Sequence, residues 1–225
     1  MYVDFHAHIL PRADHGSSSS DMSLAQLKNA AEAGVDTIIA TPHFYIEQNT
    51  IDEFLDRRER CFNRLLGKYD GEIKIIKAAE VQLAIGLSEL PDLEKLCIGD
   101  TKYILLEFPP EPWPYWMFDF VTDIIEKRGL KPIIAHIDRY SSRGRAKILN
   151  IEGAMFQVNA ESLLKIGKTK RECLELLKNG GAHFIGSDVH GEGEGTYKRF
   201  SKAIKKIGEP ISHITNNSRK ILIER

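Results

Sequence analysis

Cysteine is scarce: Cys61, Cys97 and Cys173 are the three among 225 residues, an odd number spread far apart. None has the paired spacing of a zinc–thiolate site, so the expectation is buried free thiols in a reducing cytoplasm. No arginine follows any of them at the spacing that thiol-based phosphatases use, which disfavours cysteine as a nucleophile. Excess charge is missing too. A formal net charge of -1 argues against a nucleic-acid surface, because neutralising phosphates needs surplus Lys and Arg. No apolar run is long enough to cross a bilayer. The opening Met-Tyr-Val-Asp-Phe-His has neither the charged nor the apolar region of a signal peptide, so a cytoplasmic protein is expected. Repeats, linkers and composition breaks are absent, and residues 1–225 read as one domain.

What is present is the balance of a soluble globular protein, 42% hydrophobic and 28% charged residues. Strands are expected at Tyr2–Phe5, Val35–Ala40, Ile73–Ala79, Lys102–Leu106, Pro132–Ala135, Met155–Val158 and His183–Gly186. They are short and apolar without clean alternation, which fits a parallel sheet covered by helices. After a loop holding the serine run 17–20, helical spacing covers Met22–Ala33, closed by Gly34, and then Ile51–Leu66. A short helix is expected at Asp92–Leu96. The Pro- and aromatic-rich stretch from Pro109 to Trp116 delays the next helix, which runs to about Lys127. Right-handed crossovers make this an α/β fold. Ligand-type residues follow nearly every strand, and they can meet only if the strand ends form a ring, a barrel of about seven strands.

His6 and His8 lie on one side of an extended chain, so two imidazoles can grip one ion. Asp4, on the same side, is a candidate partner for an imidazole N–H. His15 sits between Asp14 and Gly16 in a polar loop, and His43 follows Thr41-Pro42. Glu80 and Glu107 close apolar strands, where a carboxylate is costly unless paired or metal-bound. Glu80 is the one expected to bridge two ions. His136 ends Ile133-Ile134-Ala135, and Asp188 with His190 repeats the same-side spacing. His183 and His213 are expected to be structural. The nine candidates exceed the needs of one four- to six-coordinate ion, so two or three divalent ions are implied. Imidazole and carboxylate without thiolate suit Mn, Fe or Zn, with manganese the first choice.

In this order the residues resemble the PHP (polymerase and histidinol phosphatase) superfamily. The motifs are Asp4-Phe5-His6-Ala7-His8, Thr41-Pro42-His43, Ala79-Glu80, Leu106-Glu107-Phe108, Ala135-His136-Ile137-Asp138-Arg139-Tyr140, Gly186-Ser187-Asp188-Val189-His190 and Asn217-Ser218-Arg219-Lys220-Ile221-Leu222. Several look most like the bacterial metal-dependent protein-tyrosine phosphatases of capsular and exopolysaccharide regulation. The resemblance implies a distorted seven-stranded (β/α)7 TIM-like barrel, with the metal site at the C-terminal ends of the strands. It implies one ion on His6, His8, Glu80 and Asp188, a second on Glu80, Glu107 and His136, and a third on residue 15, His43 and His190. Arg139 would bind the substrate phosphate, beside Glu80 and His43 in the catalytic centre. The implied partner is a phosphotyrosine protein, such as a tyrosine kinase of polysaccharide export. The chain departs from the pattern twice. Asp14-His15-Gly16 stands where these phosphatases commonly have Asp-Asp-Gly. The loop Gly191–Gly195 lacks a second phosphate-binding arginine, for which Lys198 or Arg199 are candidates.

The expected chemistry is in-line attack of a metal-bound hydroxide on a phosphomonoester. A phenolate leaving group, with a pKa of about 10, needs less protonation than an alkoxide. Histidinol phosphate or another small phosphomonoester is the nearest rival substrate, favoured by His15. An exonuclease module and a non-catalytic metal-stabilised protein are the more distant readings. Trp113, Tyr115, Trp116 and Phe118 form either an aromatic wall for the substrate or ordinary packing.

Overall fold

The computed structural model describes residues 1–191, 193–208 and 210–223. Glu192, in the loop that lacks the second arginine, lies outside the described residues. Strands and helices alternate as β1 (Tyr2–Ala7), α1 (Ser20–Glu32), β2 (Val35–Ala40), β3 (His43–Phe44), α2 (Ile51–Leu66), β4 (Lys74–Lys77), β5 (Glu80–Gln82), β6 (Tyr103–Glu107), α3 (Trp116–Glu126), β7 (Lys131–Ile134), α4 (Ser142–Ile148), β8 (Met155–Asn159), α5 (Lys168–Lys178), β9 (Phe184–Gly186), α6 (Glu194–Ile207) and α7 (Pro210–Ile221). All pairings are parallel. They form a three-stranded ladder, β1-β2-β4, and a curled six-stranded half-barrel, β3-β5-β6-β7-β8-β9.

The second expected strand keeps its bounds as β2 and the third shortens to Lys74–Lys77, and each is followed after a two-residue gap by a further short strand, β3 or β5. The interruptions fall at Thr41-Pro42 and at Ala78-Ala79. Proline has no N–H to give a ladder. Backbone bonds still tie the two ladders together: Ala78 N–H donates to Ala40 O at 2.9 Å, and Glu80 N–H to Pro42 O at 3.1 Å. On the opposite edge Asp188 N–H donates to His6 O at 2.8 Å and His8 N–H to Val189 O at 3.3 Å. The ends of β9 and β1 thus lie side by side.

Alternate residues of the strands serve two apolar clusters. Phe5, Ile39, Leu105, Ile133 and Phe184 share one, with Phe5 stacked on Phe184 at 4.1 Å. Ile38, Ile104, Leu106, Ile134 and Ile185 belong to the other, which also takes the inner faces of the helices. Full burial of a side chain such as Phe5 contributes about 1.5–3 kcal/mol. Helix α2 has the expected bounds because Thr50 and Glu53 form a reciprocal capping box. Helix α1 starts earlier than the apolar spacing indicates. Its cap is Ser19, whose hydroxyl accepts from Met22 N–H, so the last two serines of the run belong to the helix start while Ser17 and Ser18 precede it. Asp92–Leu96 tightens to a 3₁₀ turn at Leu93–Leu96.

Candidate metal centre

The C-terminal strand ends bring buried imidazoles and carboxylates to one point. Glu80 Oε2 lies 3.1 Å from His6 Nε2, 3.2 Å from His8 Nε2 and 3.1 Å from His43 Nδ1. Its other oxygen is 2.7 Å from His136 Nε2, and Glu107 Oε1 is 3.3 Å from that same nitrogen. Asp188 Oδ1 stands 3.7 Å from His6 Nε2 and 3.4 Å from His8 Nε2. The trios His6–His8–Glu80, His43–Glu80–Glu107 and His8–His43–His190 each hold their donor atoms within 4.8 Å of one another. His15 is exposed at the mouth, its ring 4.8 Å from those of His43 and His190.

Two ligand-type residues hold left-handed backbone, His136 at φ 32° and Asp188 at φ 52°. Such conformations cost a non-glycine residue of the order of 1–3 kcal/mol and gather at functional sites. Two glycines allow the close approach. A Cβ on Gly186 would sit 2.5 Å from His6 Cβ, and one on Gly16 would sit 2.2 Å from His8 Cβ. The Asp14-His15-Gly16 turn can fold over His8 only because position 16 has no side chain.

A directed chain of hydrogen bonds decides which atom of each residue faces the cluster. The main-chain N–H of His136 can only donate, and it donates to Gln157 Oε1 at 2.7 Å. That oxygen therefore also accepts from His6 Nδ1 at 3.2 Å, leaving the lone pair on His6 Nε2 aimed at Glu80. Gln157 Nε2 donates to Asn159 Oδ1 at 2.9 Å, so Asn159 Nδ2 donates to Asp188 Oδ2 at 2.8 Å. Arg139 Nη2 binds the same Oδ2, and Asp188 Oδ1 is left for the cluster. Asp14 Oδ2 accepts from His8 Nδ1 at 2.7 Å and from His43 N–H at 3.1 Å, which fixes His8 in the same way.

His43 Nδ1, Glu80 Oε2, His136 Nδ1 and His190 Nε2 are buried without a hydrogen-bond partner. Orphaned polar atoms are costly in a folded interior, and three of these residues belong to the trios above. Cations between the donors would satisfy the atoms of those three residues, so the residues present fit divalent ions. Electrostatics without an ion tell the same story. Burial works against charge on His8, yet Asp14, Asp188 and Glu80 outweigh it and hold its pKa well above the usual value. For His136, burial is likewise outweighed by Glu107 and Glu80, and its pKa rises to about 9. His43 is dominated by burial and falls to about 4. Burial would raise the Glu80 pKa, but His6 and His136 drive it well below the carboxylate range.

Several expectations need correcting. Asp4 is not an imidazole partner: it accepts from Ser187 N–H at 2.7 Å and Tyr197 O–H at 2.8 Å, clamping β1 to the segment after β9. Asp14 and Gln157 take that role. Gln157 and Asn159 were visible in the sequence as polar residues closing an apolar strand. Asp14, an alternative to His15 for the third ion on the sequence, instead holds His8 Nδ1 and His43 N–H. Tyr45, whose ring lies 5.3 Å from His43 and nearly parallel to it, gave no sequence signal. Lys198 and Arg199 are engaged elsewhere, by Glu194 and Glu161 respectively. Trp113 packs against Phe108, Phe118 and Tyr140, while Tyr115 is exposed. His183 is structural, its Nδ1 accepting from Phe156 N–H at 3.2 Å.

Parallel strands that gather imidazoles and carboxylates beside an arginine define a PHP-like α/β protein with a candidate metal centre. The chain belongs to the CpsB/CapC family of capsular polysaccharide synthesis, whose pattern matches residues 2–223. It is 32% identical over 200 residues to the tyrosine-protein phosphatase YwqE of Bacillus subtilis, covering 84% of this chain and 77% of that one. To the putative tyrosine-protein phosphatase CapC of Staphylococcus aureus it is 30% identical over 204 residues, covering 84% and 76%. Among solved structures, that of YwqE from Bacillus subtilis and CpsB from Streptococcus pneumoniae, described as unique metal-dependent tyrosine phosphatases, superposes with a TM-score of 0.80. That match is 27% identical and covers 98% of this chain and 94% of the other. A histidinol phosphate phosphatase from Lactococcus lactis shares the fold at a TM-score of 0.56 and 16% identity, over 92% and 94% of the two chains.

Proposed function

We propose that this chain is a metal-dependent phosphatase that hydrolyses phosphotyrosine in proteins. The observation that carries the reading is Glu80 Oε2, a buried oxygen without a hydrogen bond that lies within 3.2 Å of three imidazole nitrogens. A carboxylate so placed is suited to bridging cations. The family and its named tyrosine-phosphatase members supply the substrate class. On this reading residues 1–225 act as one domain, and the two ladders work as one distorted seven-stranded barrel. The bonds joining His6 and His8 to Asp188 and Val189 support that closure.

His6, His8, Glu80 and Asp188 would hold one ion, Glu80, Glu107 and His136 a second, and His15, His43 and His190 a third. Manganese is the first choice, with iron or zinc as substitutes. Bound divalent ions neutralise phosphate oxygens and lower the pKa of water. The chain's own residues do the rest. Arg139, half-exposed and anchored by Asp188, presents its remaining N–H groups to a phosphate. Asp138 holds that turn by accepting from Asn159 N–H at 2.8 Å and Ser162 O–H at 2.6 Å. The Tyr45 phenol is pushed up to about 12 by burial and by Glu107, Glu80 and Asp14, so it stays neutral beside the substrate ring. No helix among the described residues is long and apolar enough to cross a membrane. A cytoplasmic enzyme acting on a tyrosine kinase of polysaccharide export is consistent with that.

The test is metal analysis and phosphopeptide turnover of His6→Ala and Arg139→Ala. The first should lose both metal and activity. The second should keep its metal and raise the KM. An Arg139→Ala enzyme with unchanged KM refutes the phosphate role. A small phosphomonoester remains the second reading, because His15 at the mouth puts an imidazole where a compact substrate would pass. Exclusive turnover of histidinol phosphate would replace the first reading by the second.

A further inference from the structure

A cleft of about 490 Å³ begins three residues past His43, walled by the segments that follow β3 and β5. Those strands carry His43 and Glu80. From His43 the chain passes Tyr45, stacked on the imidazole, and enters the cleft at Ile46. The apolar lining is Ile46, Ile51, Leu90 and Pro91, and the charged lining residues are Glu47, Asp52, Glu53 and Asp92; Arg57 reaches the rim through Asn49. Asp92 is already paired with Lys95 at 2.8 Å, and that ammonium also lies within electrostatic range of Asp52, which leaves Glu47 the least engaged carboxylate. Glu53 is turned back onto Thr50 in the capping box. Glu47 and Asp52 are exposed and have no ion pair among the described residues. The start of α2 offers no anion site here, since Thr50 Oγ1 already accepts from Glu53 N–H and the Glu53 carboxylate from Thr50 N–H.

An apolar floor under unpaired carboxylates fits a side chain with an aliphatic stem and a cationic head. We propose that this cleft receives a lysine or arginine flanking the phosphotyrosine, so that the enzyme selects sites in basic sequence. The inference rests on the phosphatase reading and extends it to substrate choice. Its position past the ends of two ligand-bearing strands places the cleft where a polypeptide leaving the centre would run.

The manganese-loaded full chain should be assayed on phosphotyrosyl peptides identical except for lysines or glutamates on both flanks. Each kcat/KM is divided by that for p-nitrophenyl phosphate, which has no flanking chain and reports the centre alone. The lysine peptide should be preferred about fivefold, the scale of an exposed ion pair. The preference should shrink at about 0.5 M salt, and should reverse in the double variant Glu47→Lys, Asp52→Lys. Equal normalised values for the two peptides at low salt, or a lysine preference that persists in the double variant, overturn the cleft assignment while leaving the phosphatase standing. Absence of p-nitrophenyl phosphate turnover overturns the phosphatase reading, and this one with it.

Discussion

Gln157→Leu is a sharp test of how the centre is organised, because one buried amide orients three ligand residues. Leucine has similar bulk, so the change removes hydrogen bonds and leaves little void. Gln157 is fully buried, and its oxygen accepts from His136 N–H at 2.7 Å and from His6 Nδ1 at 3.2 Å. Its nitrogen donates to Asn159 Oδ1 at 2.9 Å. The variant strands the His136 N–H and the Asn159 oxygen, each at about 1–3 kcal/mol. Their sum, roughly 2–6 kcal/mol, is a large share of a fold whose total stability is about 5–15 kcal/mol. At about 2–4 °C per kcal/mol for a chain of this size, the Tm of the ion-free protein should fall by roughly 4–24 °C. Losing the bond that sets a ligand's tautomer commonly weakens metal binding about 10- to 100-fold. Calorimetric titration with Mn or Zn measures the affinity, and thermal unfolding in chelator measures the stability. Gln157→Glu, which keeps the acceptor, should recover most of the metal affinity. If Gln157→Leu binds metal within about threefold of the parent, the directed chain is not what aims the ligands.

Gly186→Ala should act through bulk instead, since the added methyl falls 2.5 Å from His6 Cβ and 2.8 Å from Gln157 Nε2. Overpacking of about 1–3 kcal/mol and reduced metal content are expected, and unchanged denaturant midpoint and metal stoichiometry would contradict the placement. The thiols should be silent: burial pushes Cys97 and Cys173 up to about 12 and also raises Cys61, so thiolate is scarce at pH 8. Ellman's reagent should label them only after unfolding, and activity should survive thiol-blocking reagents. Metal binding should release protons. In the ion-free protein the pKa of His136 is raised from 6.5 to about 9, so its proton stabilises that fold below pH 6.5 and the contribution is lost as pH rises through about 9. An ion needs the neutral ring, so apparent affinity should increase with pH towards about 9. Titrations at pH 7.5 in buffers of different ionisation enthalpy count the protons, and identical heats would refute the assignment.

Much of the centre was legible before any coordinates, because strand ends advertise themselves. An apolar run closing on His43, Glu80, Glu107 or His136 is a local pattern, and parallel topology carries those residues to one face. Other features had no local signature. The aspartate with the clearest second role, Asp14, lies in a polar loop where its neighbour His15 looked more like a ligand. Its reach to His8 Nδ1 depends on the turn that Gly16 permits. Asp4, by contrast, shares the strand face of His6 yet serves Ser187 and Tyr197, partners more than 180 residues away in the chain.

From its amino acids alone the chain determines its alternating β/α order and the types of residue at the strand ends. These follow from local periodicity and composition. Tertiary structure alone decided which nitrogen of each imidazole faces the centre, that a second short strand pairs again after Pro42, and that an acidic cleft opens just past His43. Those outcomes arise where distant segments meet, and hydrogen-bond direction and close packing become defined only once they do.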